Sequence, residues 1–300
     1  MIDIAKQFSL NEKVEQKERS MSTPSNTPVA PVAPAARIAA IQMVSGPAVA
    51  DNLEEAGRLI AMAAARGAQL VALPEYFGIL GMKDTDKVAV REAPGDGPIQ
   101  AFLSNAARQH GLWIVGGSAP LVSADPGKVR NSSLVFDASG TQVARYDKIH
   151  LFGFQMGDER YHEASTIEPG NKPVTVDTPF GRLGLSICYD LRFPELYRAM
   201  QDVDIILVPS AFTETTGRAH WETLLRARAI ENLAYVLAPA QGGRHANGRE
   251  THGDSMIIDP WGVVLDRLPR GAGVVIADVN LERMHELRRS LPALSHRTIR

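Results

Sequence analysis

The chain has 300 residues, with 32 Lys and Arg against 34 Asp and Glu, a formal net charge of -2 and a sequence pI near 6.5. That balance carries no electrostatic footprint for nucleic acid or an anionic membrane, and 44% hydrophobic with 22% charged residues excludes a chain disordered throughout. The single cysteine, Cys188, excludes an intramolecular disulfide and a multi-cysteine zinc site, so stability rests on the core and the expected compartment is the reducing cytoplasm.

Residues 1–36 open with a mixed-charge piece, four basic and four acidic side chains between Met1 and Arg19, followed by an uncharged Ser/Thr/Pro/Ala piece. Neither can bury enough apolar surface to offset its ordering entropy, so a disordered tail is expected, with Met21 as an alternative start and one domain over 37–300. No signal or transit pattern is present in it. The apolar run from Leu59 to Ala65 stops at Arg66, far short of the roughly 20 residues a membrane helix needs.

From Arg37 the chain alternates short aliphatic runs with amphipathic stretches. Strands are expected at 37–43 and 69–73, with a helix at 51–66 started by Asp51 between them. A helix with Pro98 in its first turn covers 98–110, and strands follow at 112–118, 131–136 and 141–146, the last two joined by a turn at 137–140. Further strands are expected at 173–177, 182–187, 204–208, 234–240, 254–258, 263–268 and 273–278, with helices at 194–201, 218–232 and 282–289. A dozen strands with few helices and several hairpins describe two mixed sheets covered by helices, an α/β sandwich in one domain.

Cys188 ends the apolar run Leu183-Gly184-Leu185-Ser186-Ile187, and Pro194 opens a helix six residues later, so the thiol sits at a strand-to-helix turn. An exposed thiol beside a helix N-terminus has a lowered pKa; the alternative is an inert buried hydrophobe. Glu75 follows a buried strand in Leu73-Pro74-Glu75 and Lys148 follows another in Tyr146-Asp147-Lys148. Each is either a solvated charge or a group held at a sheet end. Together the three supply a nucleophile, a base and a cation for an oxyanion, the parts of an amide hydrolase.

At these residues the chain resembles the nitrilase superfamily of carbon–nitrogen hydrolases, through Leu73-Pro74-Glu75, Asp147-Lys148-Ile149-His150-Leu151-Phe152 and Gly184-Leu185-Ser186-Ile187-Cys188-Tyr189-Asp190. The resemblance implies a four-layer αββα sandwich, a Glu75, Lys148 and Cys188 triad, and a homodimer or higher even oligomer. It also implies that Glu163, 15 residues after Lys148, orients that lysine and the substrate. The run from Cys188 to Leu196 is similar to the Nit branch, where Tyr189-Asp190 argues for an amide over a nitrile.

The implied reaction takes a small linear amide to acid and ammonia through a thioester, with no metal or organic cofactor; hydrolases of 2-oxo acid amides or N-carbamoyl amino acids would use the same triad. From another class, a scaffold that has lost activity would keep the same sandwich. Expected substrate-binding residues are Tyr189, whose backbone N–H would share the oxyanion, Arg192, Ala211 and Phe212. Arg192 either clamps a substrate carboxylate or pairs with Glu195. His150 and His162 are expected to pack as neutral polar loop residues.

Overall fold

The computed structural model describes residues 36–157 and 159–299; the expected tail, up to residue 35 and including Met21, lies outside the described residues. Six helices are α1 (Val49–Ala65), α2 (Asp86–Ala89), α3 (Pro98–His110), α4 (Pro194–Ala199), α5 (Glu214–Asn232) and α6 (Leu281–Ser290). The first nine strands are β1 (Ala36–Gln42), β2 (Leu70–Ala72), β3 (Trp113–Val115), β4 (Ala119–Val122), β5 (Val129–Phe136), β6 (Gln142–Asp147), β7 (Gly153–Met156), β8 (Glu159–His162) and β9 (Val174–Thr178). The remaining eight are β10 (Gly181–Leu185), β11 (Ile205–Leu207), β12 (Tyr235–Ala238), β13 (Gly242–Arg244), β14 (Glu250–His252), β15 (Ser255–Ile258), β16 (Val264–Leu268) and β17 (Gly273–Val279).

One sheet runs β17-β1-β2-β3-β5-β4 with β6 on β5, and the other runs β16-β15-β12-β11-β10-β9. Strands β1, β2 and β3 are mutually parallel, as are β10, β11 and β12. Because β5 is antiparallel to β3 and β6 antiparallel to β5, β6 points the same way as β2 and β3. The carboxyl ends of β2, β3 and β6 therefore share one edge, the kind of edge where open α/β sheets bind ligands.

The layers follow from the two-residue period of a strand. In β1, Ile38 and Ala40 enter the core that also contains Leu183, Leu185, Ile205 and Leu207 of the second sheet, while Ala39 and Ile41 face the opposite way. That outer face packs on Leu59 and Ile60 of α1 and on Ile99 and Leu103 of α3. Each such fully buried aliphatic side chain contributes about 1.5–3 kcal/mol. Beyond the second sheet, Trp221 and Leu225 of α5 and Leu196 of α4 pack on the same core, which completes the αββα order. Glu222 and Arg226, four apart on α5, stand 3.6 Å apart as their spacing predicts.

Some boundaries differ from the sequence reading. Helix α1 begins at Val49 behind Ala48, which has no side-chain cap, so Asp51 lies in the first turn and favours the helix dipole without capping it. Helix α5 starts a turn before Arg218, where the Thr213 hydroxyl accepts from the Thr216 N–H at 3.2 Å. Strands β4, β7, β8, β13 and β14 were not anticipated; the last four form two separate hairpins, and β7 lacks a buried side to give it an apolar period.

Candidate active site

Glu75, Lys148 and Cys188 stand just past the carboxyl ends of β2, β6 and β10. The loop carrying Glu75 is pressed against Gly117, in the left-handed region at φ 48°, where a Cβ would fall 2.1 Å from the Pro74 carbonyl oxygen; only glycine permits that approach. Glu75 is 1% exposed and Lys148 fully buried. The Lys148 ammonium donates to Glu75 Oε1 at 2.8 Å and to both oxygens of Glu163, at 2.9 and 2.7 Å. Asn131 Nδ2 donates to the same Glu75 oxygen at 3.0 Å, and Glu163 also accepts from the Tyr76 hydroxyl at 2.8 Å and the Phe152 N–H at 2.7 Å.

Charges removed from water survive only when paired and hydrogen-bonded, and here one ammonium is shared by two carboxylates. Burial alone would lower the Lys148 pKa, but the charges of Glu163 and Glu75 outweigh it and the ammonium is held well above its ordinary range. For Glu163 burial acts to raise the pKa, and Lys148 reverses the sign, so the carboxyl is held below 4.5.

Cys188 lies at the first position of a 3-10 turn, Cys188–Arg192, with φ 52°. A side chain in the left-handed region costs on the order of 1–2 kcal/mol, and the surroundings hold it there. Its N–H donates to the Pro209 carbonyl at 2.9 Å, and Arg228 clamps the Leu191 carbonyl from Nη2 at 2.8 Å and Nε at 3.1 Å.

Fully buried Asp190 ties this turn to the Lys148 segment. One of its oxygens accepts from the Ile187 N–H at 2.8 Å and the Tyr146 hydroxyl at 2.7 Å; the other accepts from the His150 N–H at 3.0 Å and lies 2.7 Å from His150 Nδ1. His150, expected as simple polar packing, is thus a partner of Asp190 and stacks on Phe193 with ring centroids 3.8 Å apart.

Of the two readings of the thiol, exposed with a lowered pKa or buried, the structure gives the buried one. Burial first, and then the Glu75 charge, push its pKa well above 9.0, and Lys148 and the Ala211 N–H offset this only in part. A short 3-10 turn cannot supply the expected lowering to a sulfur that is buried and faces a carboxylate. Cys188 is therefore a neutral thiol at rest.

Glu75, Glu163 and Cys188 line one cavity with all four expected substrate-binding residues, Tyr189, Arg192, Ala211 and Phe212. Arg192 makes no ion pair with Glu195; its Nη1 lies 3.3 Å from His220 Nδ1, and its guanidinium sits 5.8 Å from the Tyr189 ring centroid and 5.5 Å from that of Phe212. Phe152, at the base of the β7–β8 hairpin, packs on Tyr189 with centroids 5.2 Å apart. Sequence reasoning missed Tyr76, Asn131, Asp190 and Arg249. Asp190 stands inside a recognised motif and Tyr76 directly follows one, whereas nothing in the sequence marks Asn131 or Arg249 as site residues. Among the described residues no group of three or more His, Cys, Asp or Glu is placed to hold a metal ion.

The carbon-nitrogen hydrolase family profile matches residues 37–289. The chain belongs to the carbon-nitrogen hydrolase family. It is 45% identical over 265 residues to a Synechocystis sp. protein named deaminated glutathione amidase, covering 86% of this chain and 97% of that one. Among solved structures it is similar to the Caenorhabditis elegans NitFhit protein, with a TM-score of 0.82 and 37% identity over 88% of this chain and 65% of that one. It is similar also to a Saccharomyces cerevisiae member of branch 10 of the nitrilase superfamily, with a TM-score of 0.78 and 30% identity over 87% of this chain and 96% of that one. The αββα sandwich is thus the nitrilase fold. No helix among the described residues is long and apolar enough to cross a membrane.

Proposed function

We propose that this carbon–nitrogen hydrolase is a cysteine-dependent amidase whose substrate is deaminated glutathione, cleaved at the amide joining its 2-oxoglutaryl group to cysteinylglycine. The observation that carries the chemistry is the buried Lys148 ammonium held between Glu75 and Glu163 in the cleft that Cys188 lines. Support for the substrate is the name of the relative at 45% identity.

Both protein donors to Glu75 fall on Oε1, which leaves Oε2 to take the thiol proton as Cys188 attacks the amide carbon. The three Lys148 N–H groups face three carboxylate oxygens, one of Glu75 and two of Glu163; one of the two bonds to Glu163 is exchanged for the oxyanion, which the Tyr189 N–H also stabilises. Glu75 returns its proton to the departing nitrogen. The thioester on Cys188 is then opened by water that Glu75 deprotonates; the C–S bond breaks, Glu75 returns the proton to the sulfur, and the carboxylic acid leaves. A primary amide releases ammonia in the first half; the secondary amide of deaminated glutathione releases the cysteinylglycine amine in its place.

Two further expectations belong to this reading. A homodimer is supported by Ile230, Trp261 and Val263, large apolar side chains about half exposed, with Ile230 packed against the Gly262 turn between the other two. A cytoplasmic location is supported by the absence of any disulfide-forming cysteine pair.

The test is a rate comparison on deaminated glutathione, 2-oxoglutaramate and an N-carbamoyl amino acid, read as acid product. The highest kcat/KM is expected on the first. A preference for either of the others keeps the triad and overturns the substrate.

A further inference from the structure

Arg249 makes fewer polar contacts than its position calls for. Its Nε is buried and has no hydrogen-bond partner, its Nη2 donates to the Ala211 carbonyl at 2.6 Å, and its guanidinium lies 5.0 Å from the centroid of the Tyr161 ring. Among the described residues no carboxylate lies within 4.0 Å of it, nor of Arg192. Buried donors are nearly always satisfied, and a guanidinium that lines a cleft without a carboxylate partner is suited to receive a planar anion there.

Its place gives the anion a direction. Arg249 is the residue common to the cavity at Cys188 and to a neighbouring cavity lined by Tyr76, Tyr161, Lys83, Lys87 and Arg160. The first has a volume of only about 10 Å³ and the second about 340 Å³, so past Arg249 there is room for the bulk of a substrate larger than a simple amide. Among the described residues, four cations, Lys83, Lys87, Arg160 and Arg249, line the second cavity with the carboxylates Asp84 and Glu159. Lys87 there is largely buried, with its closest carboxylate, Asp84, 3.9 Å away.

We infer that Arg249 is the specificity residue for the leaving group: it binds a carboxylate carried on the amine side of the scissile amide, about two residues, or about 7 Å, beyond it, while Arg192 serves the acyl side. The cleft then selects N-acyl dipeptides with a free C-terminus over primary amides. This rests on the proposed function, because only a substrate that reacts at Cys188 has an amine side to place.

Binding to Cys188→Ala, measured by calorimetry, needs no turnover and so separates the inference from the function. Deaminated glutathione is expected to bind about 30-fold tighter than its C-terminal carboxamide. Adding Arg249→Met should bring that ratio to within about threefold, whereas adding Arg192→Met should weaken both ligands and preserve it. Equal binding of acid and carboxamide, binding of neither, or a preference that survives Arg249→Met overturns the inference; absence of wild-type turnover with the preference intact overturns the function alone. If Arg249→Met does not fold, the comparison of the two ligands on Cys188→Ala decides, and equal binding again overturns it. A purely structural Arg249, tethering Ala211, would change both affinities together and leave their ratio unmoved.

Discussion

On one wall of the cleft Glu75 and Lys148 are buried to within 1%, stand at strand ends and have their charges paired with one another or with Glu163. On the other, Arg192, Arg249 and Tyr189 are partly exposed, stand in turns and a hairpin, and face aromatic rings. The first wall is preorganised for one reaction, since its donors and acceptors are in place before substrate arrives. The second holds two arginines bonded to neutral groups, His220 for Arg192 and the Ala211 carbonyl for Arg249. Lesions in the first should therefore appear in kcat, and lesions in the second in KM and in the choice of substrate.

The sharpest way to break this division is at the nucleophile. Cys188→Ala should lower kcat by about 10⁴-fold or more with an unchanged circular dichroism spectrum. Lys148→Met should follow, with a loss of about 10³-fold in kcat. It should also destabilise the protein by about 3–5 kcal/mol in urea unfolding, because Glu75 and Glu163 are left facing each other without a cation. A kcat close to wild type in Lys148→Met would move the oxyanion elsewhere.

Asp190→Asn tests whether the turn is positioned through the Lys148 segment. An amide cannot accept all of the bonds that Asp190 receives from Ile187, Tyr146 and His150, and its NH₂ would oppose donors. We expect kcat to fall about 10- to 100-fold at constant KM, with about 1–3 kcal/mol of stability lost. A change confined to KM would contradict the positioning role.

The smallest effects concern pH. Glu163 titrates below 4.5 in the fold, so its contribution is present above that pH and lost as pH falls through the folded value. Lys148 titrates above 10.5, so its contribution is complete below 10.5 and lost as pH rises through the folded value. The raised thiol subtracts stability once the unfolded chain ionises near 9.0. Buried His245, whose pKa burial lowers from 6.5, subtracts stability once the unfolded chain protonates below that value, so urea midpoints should be level only between about 6.5 and 9.0, and Glu163→Gln should flatten the acid limb. Alkylation of Cys188 by iodoacetamide should be slow at pH 7 and accelerate only above 9; rapid labelling at pH 7 would show an ionised thiol.

The difference between the walls also marks what could be read without coordinates. Buried strands such as β2 and β10 announce themselves as apolar runs, and the residues that follow them, Glu75 and Cys188, are placed by that fact alone. Spacing does not report convergence, so the meeting of Glu75 with Lys148 across 73 residues rested on resemblance. The thiol pKa stayed open between two readings because its sign depends on burial and on Glu75, neither visible in Ser186-Ile187-Cys188. Arg249 was passed over because an arginine beside glycine and glutamate in a loop has no period, and only the fold brings it to Ala211. The β7–β8 hairpin was missed because none of its strand residues is buried, so no apolar period marks it.

The most direct test of the central claim is the release of cysteinylglycine from deaminated glutathione by wild type and Cys188→Ala side by side. The account predicts steady turnover by the wild type and background rates from the variant. Turnover by Cys188→Ala at a rate near wild type would contradict it.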